Sequence, residues 1–270
     1  MAKAFLIDVA RCNGCHNCQI ACKDEHCGHA WLPYAQAQPE IGQFWMKVNE
    51  KERGQVPVVR VSYMPTLCAH CAGAPCAAAC PSGAFQRRDD GLLLIDPETC
   101  TGCGSCVEAC PIGAVYFNDE LGIAQKCTGC AHLLDDGWKV PRCVDSCATG
   151  ALQFGEEAEL DLDGAVTLPG LEGAGARAYY RNLPKRFVAG CVYDADANDV
   201  LIGATVELLD AVGAVVAQVE TDEFGDWEFD QIEPGAYTVV VRAEGYPEAR
   251  VAADVTEKDL FTGDLGVRKA

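Results

Sequence analysis

The spacing of the cysteines is the strongest constraint on how this chain folds. Seventeen of the eighteen cysteines lie between Cys12 and Cys147, and sixteen of these fall in four tight groups. Most neighbours within a group have only two or three residues between them, which leaves little room for each to reach a distant disulfide partner. This arrangement indicates ligands of metal centres rather than a disulfide framework.

The four groups have related patterns. The first group is Cys12, Cys15, Cys18 and Cys22; the second is Cys68, Cys71, Cys76 and Cys80; the third is Cys100, Cys103, Cys106 and Cys110; the fourth is Cys127, Cys130, Cys143 and Cys147. Three closely spaced thiolates wrap one [4Fe–4S] cubane, and the next cysteine is directed at a different cubane. The spacing therefore predicts iron–sulfur clusters. Zinc is the less favoured interpretation, because zinc sites usually consist of two separated C-x2-C knuckles.

The first half of the chain repeats internally. Residues 6–22 align without a gap with residues 94–110. In addition, Cys80, Cys110 and Cys147 are each followed by a Gly-Ala pair and a short apolar run. This pattern predicts a short helix that carries the last cysteine, a stop at glycine and a small strand. We therefore expect two copies of a small two-cluster fold.

The groups resemble those of two-cluster bacterial ferredoxins, in which the fourth cysteine of a group ligates the other cluster. That analogy implies four crosswise sets of cluster ligands. The first set is Cys12, Cys15, Cys18 and Cys147; the second is Cys127, Cys130, Cys143 and Cys22; the third is Cys68, Cys71, Cys76 and Cys110; the fourth is Cys100, Cys103, Cys106 and Cys80. Cys27 and Cys191 are left over, and we expect plain thiols there. The five histidines are also expected not to be ligands.

The second half of the chain has a different composition. Short segments of alternating apolar and polar residues, separated by turn signals, run from Phe187 to Gly266 and predict an all-β sandwich. Residues 156–184 are rich in acidic residues and glycine and are predicted to be a linker. The predicted α+β chain thus has a four-cluster ferredoxin-like domain at 1–155, the linker, and the sandwich at 185–270.

The net charge of −19 bears on possible partners. It argues against nucleic acid and against an anionic membrane surface. A solvated surface and a docking face for a basic partner both remain open as explanations. No run of eighteen apolar residues occurs, so no membrane span is expected. The N-terminal residues show no signal peptide, so we expect a cytoplasmic location, with co-export alongside a twin-arginine-bearing partner left open.

Four cations lie beside ligand cysteines in the sequence, namely Arg11, Lys23, Lys126 and Arg142. A cation close to a cluster favours the more negative reduced state and raises the reduction potential. Exposed loop charges without any such role are an equally good interpretation. The segment 23–66, with Trp31, Tyr34, Phe44 and Trp45, is a candidate contact surface for a partner.

Taken together, the four groups, with the long spacer in the fourth, resemble the four-cluster subunits of the dimethyl-sulfoxide-reductase family of molybdenum and tungsten enzymes. The match covers roughly residues 1–155. Residues 51–54, 125–136 and 140–143 resemble the small subunits of pyrogallol–phloroglucinol transhydroxylase and related catechol dehydroxylases. Residues 221–230 and 234–241 resemble carboxypeptidase-regulatory-like sandwiches, which have a transthyretin- or immunoglobulin-like fold.

This resemblance implies an electron-transfer subunit with no catalytic site of its own. Its partner would be a large catalytic subunit with molybdenum and molybdopterin guanine dinucleotide, acting on phenolic compounds by reductive dehydroxylation or hydroxyl transfer. A second protein or a small carrier would exchange electrons at the other end. The transhydroxylase type of subunit can lack one cysteine set. The four complete sets of this chain therefore favour net electron delivery.

Two other functions remain open. One is an electron-transfer subunit of another molybdenum oxidoreductase or of a formate dehydrogenase. The other belongs to a different class: a protein whose sandwich binds a surface or a ligand, with metal sites that are only structural. Iron and sulfide content would separate the second from the electron-transfer functions.

Overall fold

The chain forms two units. A computed structural model describes residues 2–269. The first unit comprises Met1–Glu50 and Tyr63–Leu183, and the second comprises Lys51–Ser62 and Pro184–Ala270. This division differs from the limits expected from the sequence at two places, because residues 51–62 belong to the second unit and residues 156–183 to the first. Within the described residues, no helix is long and apolar enough to cross a bilayer.

The first unit consists of short strands and short helices. Its strands are β1 (Lys3–Asp8), β2 (Met46–Gln55), β3 (Val58–Leu67), β4 (Phe85–Arg87), β5 (Leu93–Ile95), β6 (Val115–Asn118), β7 (Ile123–Lys126), β8 (Leu152–Glu156) and β9 (Ala178–Arg181). Strands β2 and β3 form a hairpin, and the tip of this hairpin belongs to the second unit. Its helices are α1 (Asn17–His26), α2 (Pro75–Ala78), α3 (Ser105–Glu108), α4 (Ala131–Asp135) and α5 (Arg142–Asp145), with 3-10 turns at Val9–Arg11 and Glu157–Glu159.

Residues 156–183 are an integral part of the first unit. The central strand β1 pairs antiparallel with β8 and parallel with β9, which gives a three-stranded sheet in the order β8-β1-β9. Leu168, Leu171 and Tyr180 from the same segment are buried in the core. Burial of these side chains stabilises the segment against the sheet. The acidic and glycine-rich composition that predicts a linker does not reveal these contacts.

Three of the short helices share one local design. Each of α2, α3 and α5 carries the third cysteine of its group and ends before the last cysteine. The prediction that the helix carries the last cysteine is therefore wrong. The expected order of helix, glycine and strand is present in all three. The glycines are Gly83, Gly113 and Gly150, with φ of 66°, 58° and 64°, and they precede β4, β6 and β8.

The second unit is the predicted all-β sandwich. Its strands are β10 (Arg186–Asp194), β11 (Asp199–Val200), β12 (Thr205–Leu209), β13 (Val215–Glu220), β14 (Asp226–Ile232), β15 (Ala236–Arg242), β16 (Ala249–Asp254) and β17 (Leu260–Val267). One sheet has the order β11-β10-β14, with β17 parallel to β10, and the other has the order β13-β12-β15-β16. Val188 and Trp227 of the first sheet share a buried core with Val206 and Val239 of the second.

The tip of the β2–β3 hairpin packs against the sandwich within the second unit. Arg60 forms ion pairs with Glu228 at 2.5 Å and Asp230 at 2.6 Å, and its guanidinium lies 5.1 Å from the ring centroid of Phe187. A Cβ atom at Gly54 would lie 2.6 Å from the Phe187 ring, so the tip approaches this ring closely. These contacts join residues more than 120 positions apart, and no local sequence pattern predicts them.

Gly190→Ala should destabilise the second unit. Its Cβ atom would lie 2.6 Å from the Trp227 ring and would also overlap the Thr262 hydroxyl. Overpacking of this kind lowers the free energy of unfolding by about 1–3 kcal/mol. Differential scanning calorimetry would measure the change. Gly235→Ala is the matched control, since its Cβ atom would lie 3.4 Å from Tyr237, and an equal loss in both variants would contradict the explanation.

Candidate iron–sulfur sites

The first predicted set of ligands comes together around one small cavity. Cys12, Cys15, Cys18 and Cys147 all line it. Cys18 lies on α1, and Cys147 follows α5, from the far end of the cysteine-rich region. The pKa of Cys18 is raised to about 12, chiefly because the thiol is buried and also because the thiolates of Cys12 and Cys147 are close. Thiols that oppose one another's ionisation in this way are stabilised as thiolates by bound iron.

The second set is the most deeply buried. Cys22, Cys127, Cys130 and Cys143 are each at most 7 % exposed. Burial raises the pKa of Cys22 well above its usual range, and the nearby thiolates of Cys127 and Cys130 add to this rise. The pKa of Cys143 is raised for the same reason, with Cys130 and Cys22 as its neighbours. Cys22 thus lies among three cysteines of the fourth sequence group, as crosswise ligation requires.

The third set also lines a cavity of its own. Cys68, Cys71, Cys76 and Cys110 face it together with apolar side chains such as Leu93. The pKa of Cys76 is raised to about 12 by burial and by the thiolate of Cys68, and Cys110 adds to the rise. Cys110 belongs to the third sequence group, so this set too combines two groups.

The fourth set has the same composition. Burial and the thiolate of Cys100 raise the pKa of Cys106 to about 11, with smaller contributions from Cys80 and Cys103. Cys80, from the second sequence group, therefore lies beside the three cysteines of the third. Cys103 is exposed, and Cys15 of the first set is the other exposed thiol among the eighteen.

The four sets follow one another in a row. The thiolate of Cys18 is close enough to Cys22 to contribute to the rise in its pKa, which links the first and second sets. Likewise, after burial, the thiolate of Cys68 raises the pKa of Cys127, which links the second and third. The third and fourth sets are linked because Cys76 and Cys80 are only four residues apart. The row therefore begins near exposed Cys15 and ends near exposed Cys103.

Glycine is required between the first two cysteines of three groups. Gly14, Gly102 and Gly129 have φ of 71°, 69° and 64°, a left-handed conformation that other residues rarely adopt. A Cβ atom at Gly102 would overlap the carbonyl oxygen of Gly122, and one at Gly129 would lie 2.8 Å from Leu92. The loops around the cysteines can therefore close only with glycine at these positions.

Backbone N–H groups point at several of the thiols. The donors and acceptors are His70 N to Cys68 Sγ at 3.5 Å, Ala124 N to Cys100 Sγ at 3.5 Å, Ala114 N to Cys110 Sγ at 3.2 Å and Gly129 N to Cys127 Sγ at 3.3 Å. Donation to a thiolate stabilises its negative charge, so these bonds help to tune the potential of a cluster held there.

The four cations beside the ligand cysteines differ in their surroundings. Lys126 is 3 % exposed, whereas Arg11 is exposed. Arg142 is partly exposed and pairs with the carboxylate of Asp145 at 3.0 Å. Lys23 donates to the carbonyl oxygens of Pro39 and Gly42, at 2.5 and 2.8 Å. Of the two interpretations left open by the sequence, exposed loop charge suits Arg11, but it does not suit Lys126.

Two histidines that the sequence set aside as non-ligands, and one arginine that it did not single out, lie near the sites. The Nε2 atom of His26 lies 3.9 Å from the Sγ atom of Cys130. His70 accepts a hydrogen bond at Nδ1 from the backbone N–H of Leu93 at 3.0 Å, and burial lowers its pKa well below the usual value, so the ring is neutral. Arg87 donates to the carbonyl oxygens of His70 and Cys71. In the sequence, the only indication that these histidines lie near the sites is that both are close to cysteines.

The leftover thiols have contacts of other kinds. Cys27 Sγ lies 3.9 Å from the carbonyl oxygen of Pro39, and Cys191 Sγ lies 3.5 Å from that of Phe224. Within residues 2–269, no three or more His, Cys, Asp or Glu side chains are arranged to hold a single metal ion. The fit to iron–sulfur clusters rests on the donor chemistry, because each of the four sets is made of cysteine alone.

The predicted contact surface is wrong for Trp45. This side chain is 2 % exposed, and its ring lies 4.7 Å from that of His26 in the core of the first unit. Trp31 stacks on His132 with ring centroids 4.4 Å apart. Trp31 and Trp45 therefore pack within the unit, and Trp45 is not available to a partner. A contact role for Tyr34 and Phe44 stays a prediction.

The second unit contains an open cleft with a volume of about 800 Å³. Trp227 and Phe261 contribute to its walls, together with the carboxylates of Asp222, Asp226 and Asp264. Burial and the carboxylate of Asp226 raise the pKa of the Cys191 thiol at this cleft to about 11. Such a concentration of negative charge disfavours an anionic ligand.

Two family models match the chain. Residues 59–157 match the 4Fe-4S dicluster domain, and residues 188–264 match the carboxypeptidase regulatory-like domain. The predicted combination of a [4Fe–4S] domain with a regulatory-like β domain is thereby confirmed.

Curated relatives extend the match to almost the whole chain. The pyrogallol hydroxytransferase small subunit of Pelobacter acidigallici is 40 % identical over 98 % of both chains. YnfG of Escherichia coli (strain K12), a probable anaerobic dimethyl sulfoxide reductase chain, is 38 % identical over 58 % of this chain and 74 % of its own length. The electron transfer subunit of thiosulfate reductase from Salmonella typhi is 33 % identical over 58 % of this chain and 78 % of its own length. The chain therefore belongs to the electron-transferring iron–sulfur subunits of the dimethyl-sulfoxide-reductase family of molybdenum oxidoreductases, in the group that includes the small subunit of pyrogallol hydroxytransferase.

Proposed function

We propose that this chain holds four [4Fe–4S] clusters in a row and conducts electrons between a carrier and a large catalytic subunit. The observation that carries the proposal is the arrangement of sixteen cysteines in four crosswise sets. The row ends at the two exposed thiols, Cys15 and Cys103, where electrons could enter and leave. We further infer that the first unit arose by duplication of a two-cluster fold.

Bound clusters supply one-electron transfer, and the residues of the chain set the conditions for it. The cysteine thiolates hold each cluster in place. Buried side chains such as Leu92 and Leu93 exclude water from the middle of the row. Backbone N–H groups, such as that of Gly129, donate to the thiolates and stabilise added negative charge. No residue of this chain needs to touch the substrate for this function.

The partner would carry molybdenum and molybdopterin guanine dinucleotide and would act on phenolic or catecholic aromatics. The relative named as the small subunit of a pyrogallol hydroxytransferase supports this substrate class. Hydroxyl transfer needs no net electrons, whereas reductive dehydroxylation consumes an electron pair for each hydroxyl released as water. Four complete ligand sets favour dehydroxylation. We place the complex in the cytoplasm, with co-export alongside a twin-arginine-bearing partner as the alternative.

Replacement of ligand cysteines should reveal the crosswise sets. The full chain should contain about sixteen iron atoms and as many acid-labile sulfides. Cys12→Ala and Cys147→Ala should each weaken or remove the same cluster signal in electron paramagnetic resonance (EPR) spectra. The double variant should lose no further cluster, because both residues belong to one set.

Cys27→Ala and Cys191→Ala are the controls and should keep the full iron content, since neither residue belongs to a predicted set. Loss of two clusters in the Cys12 and Cys147 double variant would show ligation within sequence groups instead. Zinc in place of iron and sulfide would contradict electron transfer altogether and would favour a binding protein with structural metal sites.

The purified complex should distinguish the reactions. Affinity purification of the full chain from its native source should recover a large subunit that contains molybdenum. With reduced viologen as electron donor and a catechol as substrate, net oxidation of the viologen should accompany loss of a hydroxyl group. Product formation without viologen oxidation would indicate hydroxyl transfer. Formate oxidation by the complex would instead support a formate dehydrogenase.

A further inference from the structure

Lys126 is a cation placed inside the row of cysteine sets. It is the last residue of β7 and directly precedes Cys127, and it is 3 % exposed. Its ammonium donates to the carbonyl oxygen of Leu93 and, at 2.9 Å, to that of Cys127. Both acceptors are neutral, so these hydrogen bonds orient the ammonium without balancing its charge.

In the part of the chain that the structure describes, no carboxylate balances the charge of Lys126. Among residues 2–269, no carboxylate oxygen lies within 4.0 Å of its Nζ atom. A buried ammonium without a counter-ion is strongly unfavourable, because burial removes its hydration. The counter-charge must therefore come from the thiolates and from whatever they ligate.

Thiols of two different sets lie within electrostatic reach of Lys126. Leu93, whose carbonyl oxygen accepts a hydrogen bond from Lys126, lines the cavity of the third set together with Cys71 and Cys76. In agreement with this geometry, burial raises the pKa of both thiols and the charge of Lys126 opposes both rises. In the second set, burial raises the pKa of Cys127 to about 11, and Lys126 opposes that rise as well. The second and third sets are the central members of the row, so Lys126 lies between them.

The other cations near the row are placed differently. Arg11 is exposed, and the carboxylate of Asp145 partly balances the charge of Arg142. Arg87 lies close to the third set, where its guanidinium donates to the carbonyl oxygen of Cys71, but the thiols that act on it, such as Cys68 and Cys76, all belong to that one set. Of these four cations, only Lys126 is deeply buried, has no carboxylate within 4.0 Å and lies close to two sets.

We propose that Lys126 is a positioning residue whose fixed positive charge raises the reduction potentials of the two central clusters. This proposal rests on the proposed four-cluster function. Each added electron brings one more negative charge, and a buried cation stabilises that charge with little screening. Lys126 thereby keeps the middle of the row reducible, so that electrons meet no barrier between the exposed ends.

Redox titration of the assembled complex, followed by EPR, tests this role. In Lys126→Gln, which keeps hydrogen-bond donors but removes the charge, two of the four cluster signals should shift to lower potential. At a fixed potential the ratio of reduced to oxidised cluster should fall at least tenfold, which corresponds to about 59 mV for one electron. Lys126→Arg keeps the charge and should keep the wild-type potentials.

Arg11→Gln is the matched control, because Arg11 precedes the first cysteine of its group just as Lys126 does. In Arg11→Gln, the ratio of reduced to oxidised cluster at a fixed potential should change less than tenfold for each of the four clusters. Unchanged potentials in Lys126→Gln, or equal shifts in both variants, would overturn the proposal.

The iron content of each purified variant shows whether all four clusters have assembled. If Lys126→Gln loses a central cluster, the proposal stands only if Lys126→Arg retains all four at wild-type potentials, and loss in both would overturn it. The number of clusters in the wild-type complex distinguishes failure of the proposed four-cluster function from failure of the role proposed for Lys126. Fewer than four clusters there would refute the proposed function, whereas four clusters without the expected shift would refute only the role of Lys126.

Discussion

The mutual repulsion of buried thiolates is the interaction on which the first unit depends. Burial and neighbouring thiolates raise the pKa values of Cys22 and Cys143 well above their usual range, so these sets resist ionisation unless a cation is bound. Iron supplies that positive charge, and cluster binding therefore contributes directly to folding. Helices of four or five residues, such as α2 and α3, are too short to be stable alone. Their stability comes from the ligands they carry.

The proposed crosswise ligation would explain why distant parts of the first unit stay together. The second set joins Cys22 of α1 to Cys143 of α5, and the first set joins Cys18 to Cys147. Loss of one ligand thus loosens two segments far apart in sequence. Such metal-centred connections would replace much of the packing that longer helices provide, in a unit with few long secondary structure elements.

Local spacing predicted what depends on local geometry. The cysteine groups, the glycines beside them and most strands of the sandwich follow from patterns over a few residues. The hairpin tip against Phe187 and the pairing of β9 with β1 depend on contacts between distant residues, so composition alone misread residues 51–62 and 156–183. Trp45 was misassigned because an aromatic residue in an insertion has the same sequence signature whether it is buried or exposed.

The negative charge of the chain gives the proposed role of Lys126 its physical reason. The net charge of −19 counts side chains only, and thiolate-ligated clusters add to it. At the two ends of the row, near Cys15 and Cys103, water screens the added charge. In the middle, side chains such as Leu93 exclude water, so an electron there gains no such screening. A buried cation between the second and third sets supplies what solvent provides at the ends, and it makes the potentials along the row more nearly equal.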